Sequence, residues 1–466
     1  MPMASSRCPF RGNGWKSDRM PLFKDMPNKL RLALALSFGA GLATWFLPAL
    51  PAGAASPPEN NWPQFRGPSG DGRAAGAGLP LTWGEGANVR WKTALAGRGR
   101  SSPVLLGEAL WLTAAVEKGI VRKRIGSDDM QTAEHVSLRA ICVDRGSGKA
   151  RWEKVLYEVP NPDPVHWLNS WATPTPVVEE GRVYCDFGTF GTACLDASDG
   201  RVIWQKQLKL DHQVGPGSSP ILWRDQLVLV RDGRDAQYVT ALDKRTGETL
   251  WKTARPPIQA GSGNLKKSFS TPLVIEVNAR PQMVAPGAHW TVAYNPSDGA
   301  EIWRVRHGNG FSIGTAPVFG HGLVFFGTGC MKAQLWAVRP DGQGEVTESH
   351  VAWKTLRQVP VMSSPVLAGD ELYWVSDDGL ATCADARTGE IHWQERLGGG
   401  CLASPIASAD RIYFFRQDAK TIVVKAGRQF EKLAENTLTG TVVASPAAGR
   451  RELYLRTDTH LYCLRE

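Results

Sequence analysis

A tryptophan followed, a dozen or more residues later, by a Ser/Thr/Ala–Pro step recurs along this chain. The prolines are Pro103, Pro176, Pro220, Pro272, Pro317, Pro365, Pro405 and Pro446. Each unit reads alike. The Pro step opens a short apolar run, as in Ser102-Pro103-Val104-Leu105-Leu106, and a turn leads into a second run. A third run ends like Ala241-Leu242-Asp243, and a glycine turn then precedes the run that carries Trp. Gly148 and Trp152, Gly200 and Trp204, Gly247 and Trp251, Gly299 and Trp303, and Gly389 and Trp393 share one spacing. Four short strands repeating at roughly 40–50 residues describe propeller blades, and a helical solenoid of that period would need 3.6-residue periodicity with few Gly or Pro. With 49 Gly and 31 Pro, the chain is predicted to be all-β, an eight-bladed β-propeller.

The ends of the chain predict closure. The eighth unit begins at Pro446 and stops at Glu466, one strand short, while a spare strand with its Trp, Val89-Arg90-Trp91-Lys92-Thr93, precedes the first Pro. That strand should complete the last blade and remove both free edges. A Trp at the outer strand covers the junction with the next blade. Full burial of about 200 Å² stabilises by roughly 5 kcal/mol at the upper limit. Unit seven lacks this Trp and offers Leu433 or Phe430 instead.

Three segments follow from this reading: 1–55, an N-terminal extension with a signal peptide; 56–87, an extended segment packing on the propeller; and 88–466, the propeller itself. Lys29 and Arg31 flank the start of an apolar stretch over 30–50 that ends in Pro51-Ala52-Gly53-Ala54-Ala55, the pattern of a secretory signal with a small-residue cleavage site. Met26 is an alternative start, and no Cys follows the stretch to accept a lipid. The product is expected to be exported, periplasmic or extracellular, with no transmembrane segment after cleavage, and monomeric.

The net charge of +9 overstates the basicity, because 1–55 holds seven Lys/Arg against two Asp/Glu. The remaining charge of about +4, with no basic stripe carrying interleaved aromatics, excludes nucleic acid as the expected partner. Cys142, Cys194, Cys383 and Cys463 occupy one repeat position that Ala241, Ala293 and Ala337 fill in other units, so they read as small core side chains. Cys185 and Cys194 lie on one hairpin and are candidates for a disulfide. Neither a haem Cys-x-x-Cys-His nor a zinc spacing occurs.

With strands a to d running from axis to rim, the b–c hairpins and d–a connections share one face. The irregular insertions at 115–136, 157–173 and 255–270 fall there, whereas 341–350 falls on the other. Long loops on a rigid frame are where binding concentrates. The candidate binding face comprises His166, Trp167, Asn169, Trp171, Asp232, Asp235, Asp378, Asp458 and His460. Convergent carboxylates can hold a hard cation, although Asp before Gly is also ordinary turn chemistry. The charged stretch 118–134 reads as a solvated loop, with a docking surface as the alternative. No catalytic nucleophile–His–acid set or phosphate loop is visible.

The phrases Leu195-Asp196-Ala197-Ser198-Asp199-Gly200-Arg201-Val202-Ile203-Trp204 and Ala241-Leu242-Asp243-Lys244-Arg245-Thr246-Gly247-Glu248-Thr249-Leu250-Trp251 resemble the pyrroloquinoline quinone (PQQ) repeat over residues 88–466. Trp62-Pro63-Gln64-Phe65-Arg66-Gly67-Pro68 and Asn169-Ser170-Trp171-Ala172-Thr173-Pro174-Thr175-Pro176 resemble exported PQQ-repeat propellers of planctomycete type. Two relatives bracket what the resemblance implies. Quinoprotein alcohol dehydrogenases hold PQQ and Ca²⁺ at the propeller mouth beneath a ring of two adjacent cysteines, a pair this chain lacks. BamB-like propellers bind protein partners without a cofactor. The expectation is a non-enzymatic binding or scaffold module for a cell-envelope protein or ligand, with no cofactor. A dehydrogenase using PQQ and Ca²⁺ is one alternative. Carbohydrate or polymer binding through Trp167, Trp171 and Trp290 is another.

Overall fold

The computed structural model describes residues 61–466, apart from 75, 77, 127 and 332, so the signal-like stretch and the alternative start lie outside the described residues. Eight sheets, each built on four antiparallel strands, form in chain order, their inner strands beginning at Val104, Val177, Ile221, Leu273, Val318, Val366, Ile406 and Ala447; the fourth and seventh carry a fifth, short parallel strand. We number these blades 1 to 8. The last is completed by Val89–Ala94, which pairs antiparallel with His460–Leu464 and sets Trp91 opposite Cys463. Closure therefore links the two ends of the propeller through one ladder.

The glycine-to-tryptophan spacing has a cause that the sequence does not display. Each turn glycine forms the floor for the Trp of the preceding blade. A Cβ on Gly148, at φ +73°, would stand 2.5 Å from the Trp91 ring, and the same close approach recurs for Gly200 with Trp152, Gly247 with Trp204 and Gly389 with Trp353. No side chain fits between ring and turn. The indole N–H then donates to a neighbouring backbone carbonyl: Trp91 to Arg145 at 2.9 Å, Trp204 to Lys244 at 3.0 Å and Trp353 to Ala386 at 3.0 Å. Trp91, Trp204, Trp303 and Trp393 are buried, whereas Trp152, Trp251 and Trp353 are half-buried, so the full burial expected of all seven holds for four.

The Ser/Thr–Pro step forms a hydrogen-bonded ring around the axis. The N–H before six of the eight prolines donates to the hydroxyl of the next blade: Ser102 to Thr175, Thr175 to Ser219, Ser219 to Thr271, Ala316 to Ser364, Ser364 to Ser404 and Ser404 to Ser445, at 2.9–3.0 Å. Proline has no N–H of its own, so the residue before it is the donor available at that point of the inner strand. The ring is open at the closing junction, where the buried Ser102 hydroxyl takes no bond from Ser445, and at blade 4, where Ala316 offers no hydroxyl to Thr271. Ala316→Ser is expected to add that bond and stabilise the protein by about 1 kcal/mol. Chemical denaturation reads this directly, and an unchanged midpoint would show that the hydroxyl links contribute nothing net.

Blade 7 corrects the assignment of its missing tryptophan. Its register sets Ala434 opposite Val423, where blade 6 sets Trp393 opposite Cys383, so neither Leu433 nor Phe430 occupies the position. Phe430 instead meets the edge of Trp393, centroids 5.2 Å apart. The vacancy is filled from outside the blade. Trp83 is buried and stacks on Tyr413 at 6.4 Å, as Trp393 packs on Tyr373 at 6.0 Å and Trp91 on Tyr454 at 5.9 Å. Asn436 fixes it by accepting the Trp83 backbone N–H at 2.8 Å and donating to the Leu81 carbonyl at 3.0 Å.

The stretch before Trp83 crosses the axis. Trp62 exchanges both backbone hydrogen bonds with Leu105 of blade 1, and the Pro63 carbonyl accepts from Val178 of blade 2 at 2.8 Å. Arg66 is buried and donates to the Pro365 carbonyl of blade 6 at 2.5 Å. Arg73–Ala74 then adds a parallel strand inside blade 7.

The proposed Cys185–Cys194 disulfide is corrected by register. Tyr184 faces Cys194 and Cys185 faces Ala193, which sends the two thiols to opposite faces of blade 2. Both are free, and each belongs to a different inter-blade core. Burial pushes the thiols of Cys142, Cys194, Cys383 and Cys463 up to about 12, as expected of core side chains.

Candidate functional site

The loops at the b–c ends are knitted into a continuous rim. Asp458 N–H donates to Thr441, Gln417 N–H to Gly400, Cys401 N–H to Asp377 and His289 N–H to Gly310, each joining a b–c hairpin to a d–a connection. This places the two loop classes on one face and holds them rigidly.

The stretch 118–134 is not a solvated loop. The strands Ala109–Lys118 and His135–Asp144 of blade 1 run past the rim, and the chain beyond them folds into Val121–Ile125 and Asp128–Thr132. These two pair with each other and then with Val165–His166, giving a separate three-stranded sheet. Val121–Ile125 is its outer strand, and all five residues are exposed. The Arg122 guanidinium lies 4.3 Å from the Trp167 ring centroid and 3.1 Å from Asp129. Trp167 is 39% exposed, and Ile120, Val121 and Ile125 are exposed as well.

His166 thus lies in the new sheet, and Trp167 follows it with its backbone N–H on the Asp129 carbonyl at 3.0 Å. His166 is half-buried, and burial lowers its pKa against the opposing pull of Asp128 and Asp129. The other candidates are dispersed over the face. Asn169 is structural: its amide donates to Val214 at 2.8 Å and Pro216 at 3.1 Å, while its oxygen accepts from Ser170 and Thr173. Trp171 is fully buried with its indole N–H on the Asp163 carbonyl at 2.9 Å, so it presents nothing to a ligand. Trp290 is half-buried between Arg304 and Arg306. Of the three tryptophans expected to stack sugars, Trp167 is the one that stands out from the surface.

The mouth carboxylates are occupied by internal partners. Asp232 is buried and receives Arg255 in two bonds of 3.0 and 2.8 Å, and Asp186 receives Arg231 at 2.6 Å. Burial raises the Asp232 pKa, with Arg255 working against it. Asp235 is exposed and accepts the Asp211 N–H at 2.9 Å. Asp378 is exposed, accepts from Ser376 and lies 3.3 Å from Arg396. Asp458 accepts the Thr441 N–H at 2.8 Å, and half-buried His460 pairs with the Thr459 hydroxyl at 2.9 Å.

The hard-cation expectation fares accordingly. Among the described residues no three His, Cys, Asp or Glu side chains group as a metal site, and the acids nearest the axis already serve arginines or backbone N–H groups. This donor set does not fit a Ca²⁺ ion, which takes six to eight oxygens.

Residues that sequence reasoning missed lie deeper in the mouth. Lys267 is buried, donates to the Gln213 side-chain oxygen and has its pKa lowered by burial, with Asp128 opposing. Asp377, rather than its neighbour Asp378, points inward, accepting from Val361 at 3.0 Å and Met362 at 3.3 Å, and burial raises its pKa. Burial raises the pKa of the Cys330 thiol, with Asp377 adding to the rise and Lys267 opposing it. Single lysines and cysteines in irregular connections carry no periodic signal, so no pattern in the chain marks them.

Among the described residues no helix is long and apolar enough to cross a membrane. A family profile described as outer membrane protein assembly factor BamB matches residues 136–285 and 288–458. BamB of Shewanella oneidensis is 24% identical over 248 residues, covering 48% of this chain and 56% of that protein. The 1-butanol dehydrogenase (quinone) of Thauera butanivorans is 30% identical over 147 residues, 29% of this chain and 22% of that one. The matches thus span about half or less of these curated relatives. Among solved structures, BamB of Moraxella catarrhalis superposes with a TM-score of 0.55 at 15% identity, covering 81% of this chain and 99% of that one. The quinohemoprotein alcohol dehydrogenase ADHIIG of Pseudomonas putida HK5 gives 0.57 at 11% identity, covering 87% and 80%. Blades, closure and profile agree: this chain belongs to the PQQ-repeat propeller family whose profile is described as outer membrane protein assembly factor BamB.

Proposed function

We propose that the protein is an exported, non-enzymatic propeller that binds a protein of the cell envelope through its b–c face. The observation that carries this reading is the open outer strand Val121–Ile125 on the sheet standing off blade 1. An unpaired edge offers backbone N–H and C=O groups to an added strand. Arg122, Lys123 and Arg124 set the chemistry of that partner: an extended acidic segment, with Val121 and Ile125 supplying apolar contact at the ends. The likeness to BamB, an assembly factor by its printed description, supports a protein partner, and the saturated mouth carboxylates favour recognition over metal-assisted redox chemistry.

A photocrosslinking side chain placed at Lys123 in whole envelopes tests this. The expected result is one discrete adduct that is lost in Arg122→Glu/Arg124→Glu, with the purified variant melting as the parent does. No adduct at 123, together with an adduct from exposed Glu348 on the opposite face, overturns the reading. Saturable, Ca²⁺-dependent binding of PQQ in calorimetry would instead establish the dehydrogenase alternative, consistent with the quinone-dependent relative.

A further inference from the structure

The face opposite the mouth holds a basic cleft at the seam where blade 8 closes on blade 1. It measures about 510 Å³ and is lined by Arg90, Arg145, Arg450, Arg451, Arg465 and Glu452, with Glu108 at its edge. Five separate stretches of chain meet there: the closing strand Val89–Ala94, the two turns of blade 1 at Glu108 and at Arg145, the turn after Ala447–Ala448, and the C-terminal end.

The charges do not balance. Glu452, its side chain 8% exposed, is the hub, with Arg90 at 2.6 Å, Arg145 at 2.9 Å and Arg465 at 3.4 Å. Tyr454 donates its hydroxyl to the same carboxylate. One carboxylate thus serves three guanidiniums. Arg450 and Arg451 are exposed and have no acidic partner among the described residues, and Glu108 lies in no ion pair there. Five arginines against two glutamates leave a formal excess of three positive charges around one concavity.

Guanidiniums converging without counter-charge repel one another, and planar forks are matched by an oxyanion that accepts paired hydrogen bonds. The geometry points to an anion site at this seam that takes a phosphoryl group of two or more negative charges, carried by a phosphorylated solute or headgroup. The cleft has room for more than a single ion. An occupant here bridges the closing N-terminal strand to the C-terminal one, so binding fastens the propeller at its one non-covalent seam. The site is on the opposite face from the proposed protein-binding strand and stands or falls independently of it.

The test is calorimetry of the folded chain with inorganic pyrophosphate at constant ionic strength, beside chloride as control. Saturable one-to-one binding is expected, weakened by at least about tenfold in Arg450→Ser/Arg451→Ser. Both positions are exposed in a turn, and an unchanged melting temperature without ligand verifies the fold. Co-sedimentation with phosphatidic acid vesicles against pure phosphatidylcholine identifies the source. Pelleting lost in the double variant assigns a headgroup, whereas pyrophosphate binding without pelleting assigns a soluble phosphorylated ligand. No saturable binding to either probe at about 10 mM, or equal binding by the double variant, overturns the site.

Discussion

Arg255→Met is expected to destabilise the protein by about 3–5 kcal/mol, because it strands a buried carboxylate. Asp232 and Arg255 have side chains 1% and 3% exposed, and their two hydrogen bonds satisfy both carboxylate oxygens. Arg255 also donates to the Ala285 carbonyl at 2.7 Å, tying blade 3 to blade 4. Without the guanidinium, Asp232 faces an apolar junction with no counter-charge, and either ionisation in low dielectric or protonation out of its usual range is costly. Asp232→Leu/Arg255→Met is the decisive partner, since removing both charges leaves a packable apolar site. Urea denaturation of the single and double variants should show a large loss that is mostly recovered. A single-variant loss below about 1 kcal/mol would mean that solvent reaches Asp232 and that the pair is not sealed.

Trp83→Ala is expected to cost about 3–5 kcal/mol, the range for emptying a core aromatic site. Trp83 lies outside every repeat unit, yet it packs with Tyr413, Leu438 and Leu461 in the core that joins blades 7 and 8. Its loss opens the junction that blade 7 cannot close with Ala434. Trp83→Phe should retain much of the stacking and lose less. Thermal melting measures the difference, and limited proteolysis should show earlier cleavage in 61–87. If Trp83→Ala melted like the parent, the N-terminal segment would be an appendage and blade 7 would be complete without it.

The two cases separate what was legible from what was not. Blade count and closure are legible because each blade is a local event: four short runs, three turns and a Trp recur whatever lies elsewhere. The spare strand Val89-Arg90-Trp91-Lys92-Thr93 announces itself by carrying the Trp of an outer strand ahead of the first Pro step, and it pairs with the strand holding Cys463. The site is far less legible. Trp171 and Trp167 are four residues apart in one connection, and one is buried while the other stands in solvent. Asp377 and Asp378 are adjacent, and one points inward while the other pairs with Arg396 on the surface. A side chain's type is written in the chain, but whether it meets a partner depends on which distant loop crosses it.

The sequence by itself determined the all-β repeat, the closing strand, the small core position shared by four cysteines and the modest charge that remains beyond residue 55. All of these follow from periodicity or composition. Tertiary structure decided which groups pair across blades. It moved the eighth tryptophan to residue 83, separated Cys185 from Cys194 and consumed Asp232 in an ion pair. It raised Val121–Ile125 and Asp128–Thr132 into a sheet with an open edge and gathered five arginines at one seam. The physical reason is range. Strand and turn preferences act over a few residues, whereas ion pairs, hydroxyl links and stacked rings act between segments that only closure of the ring brings within a few ångströms.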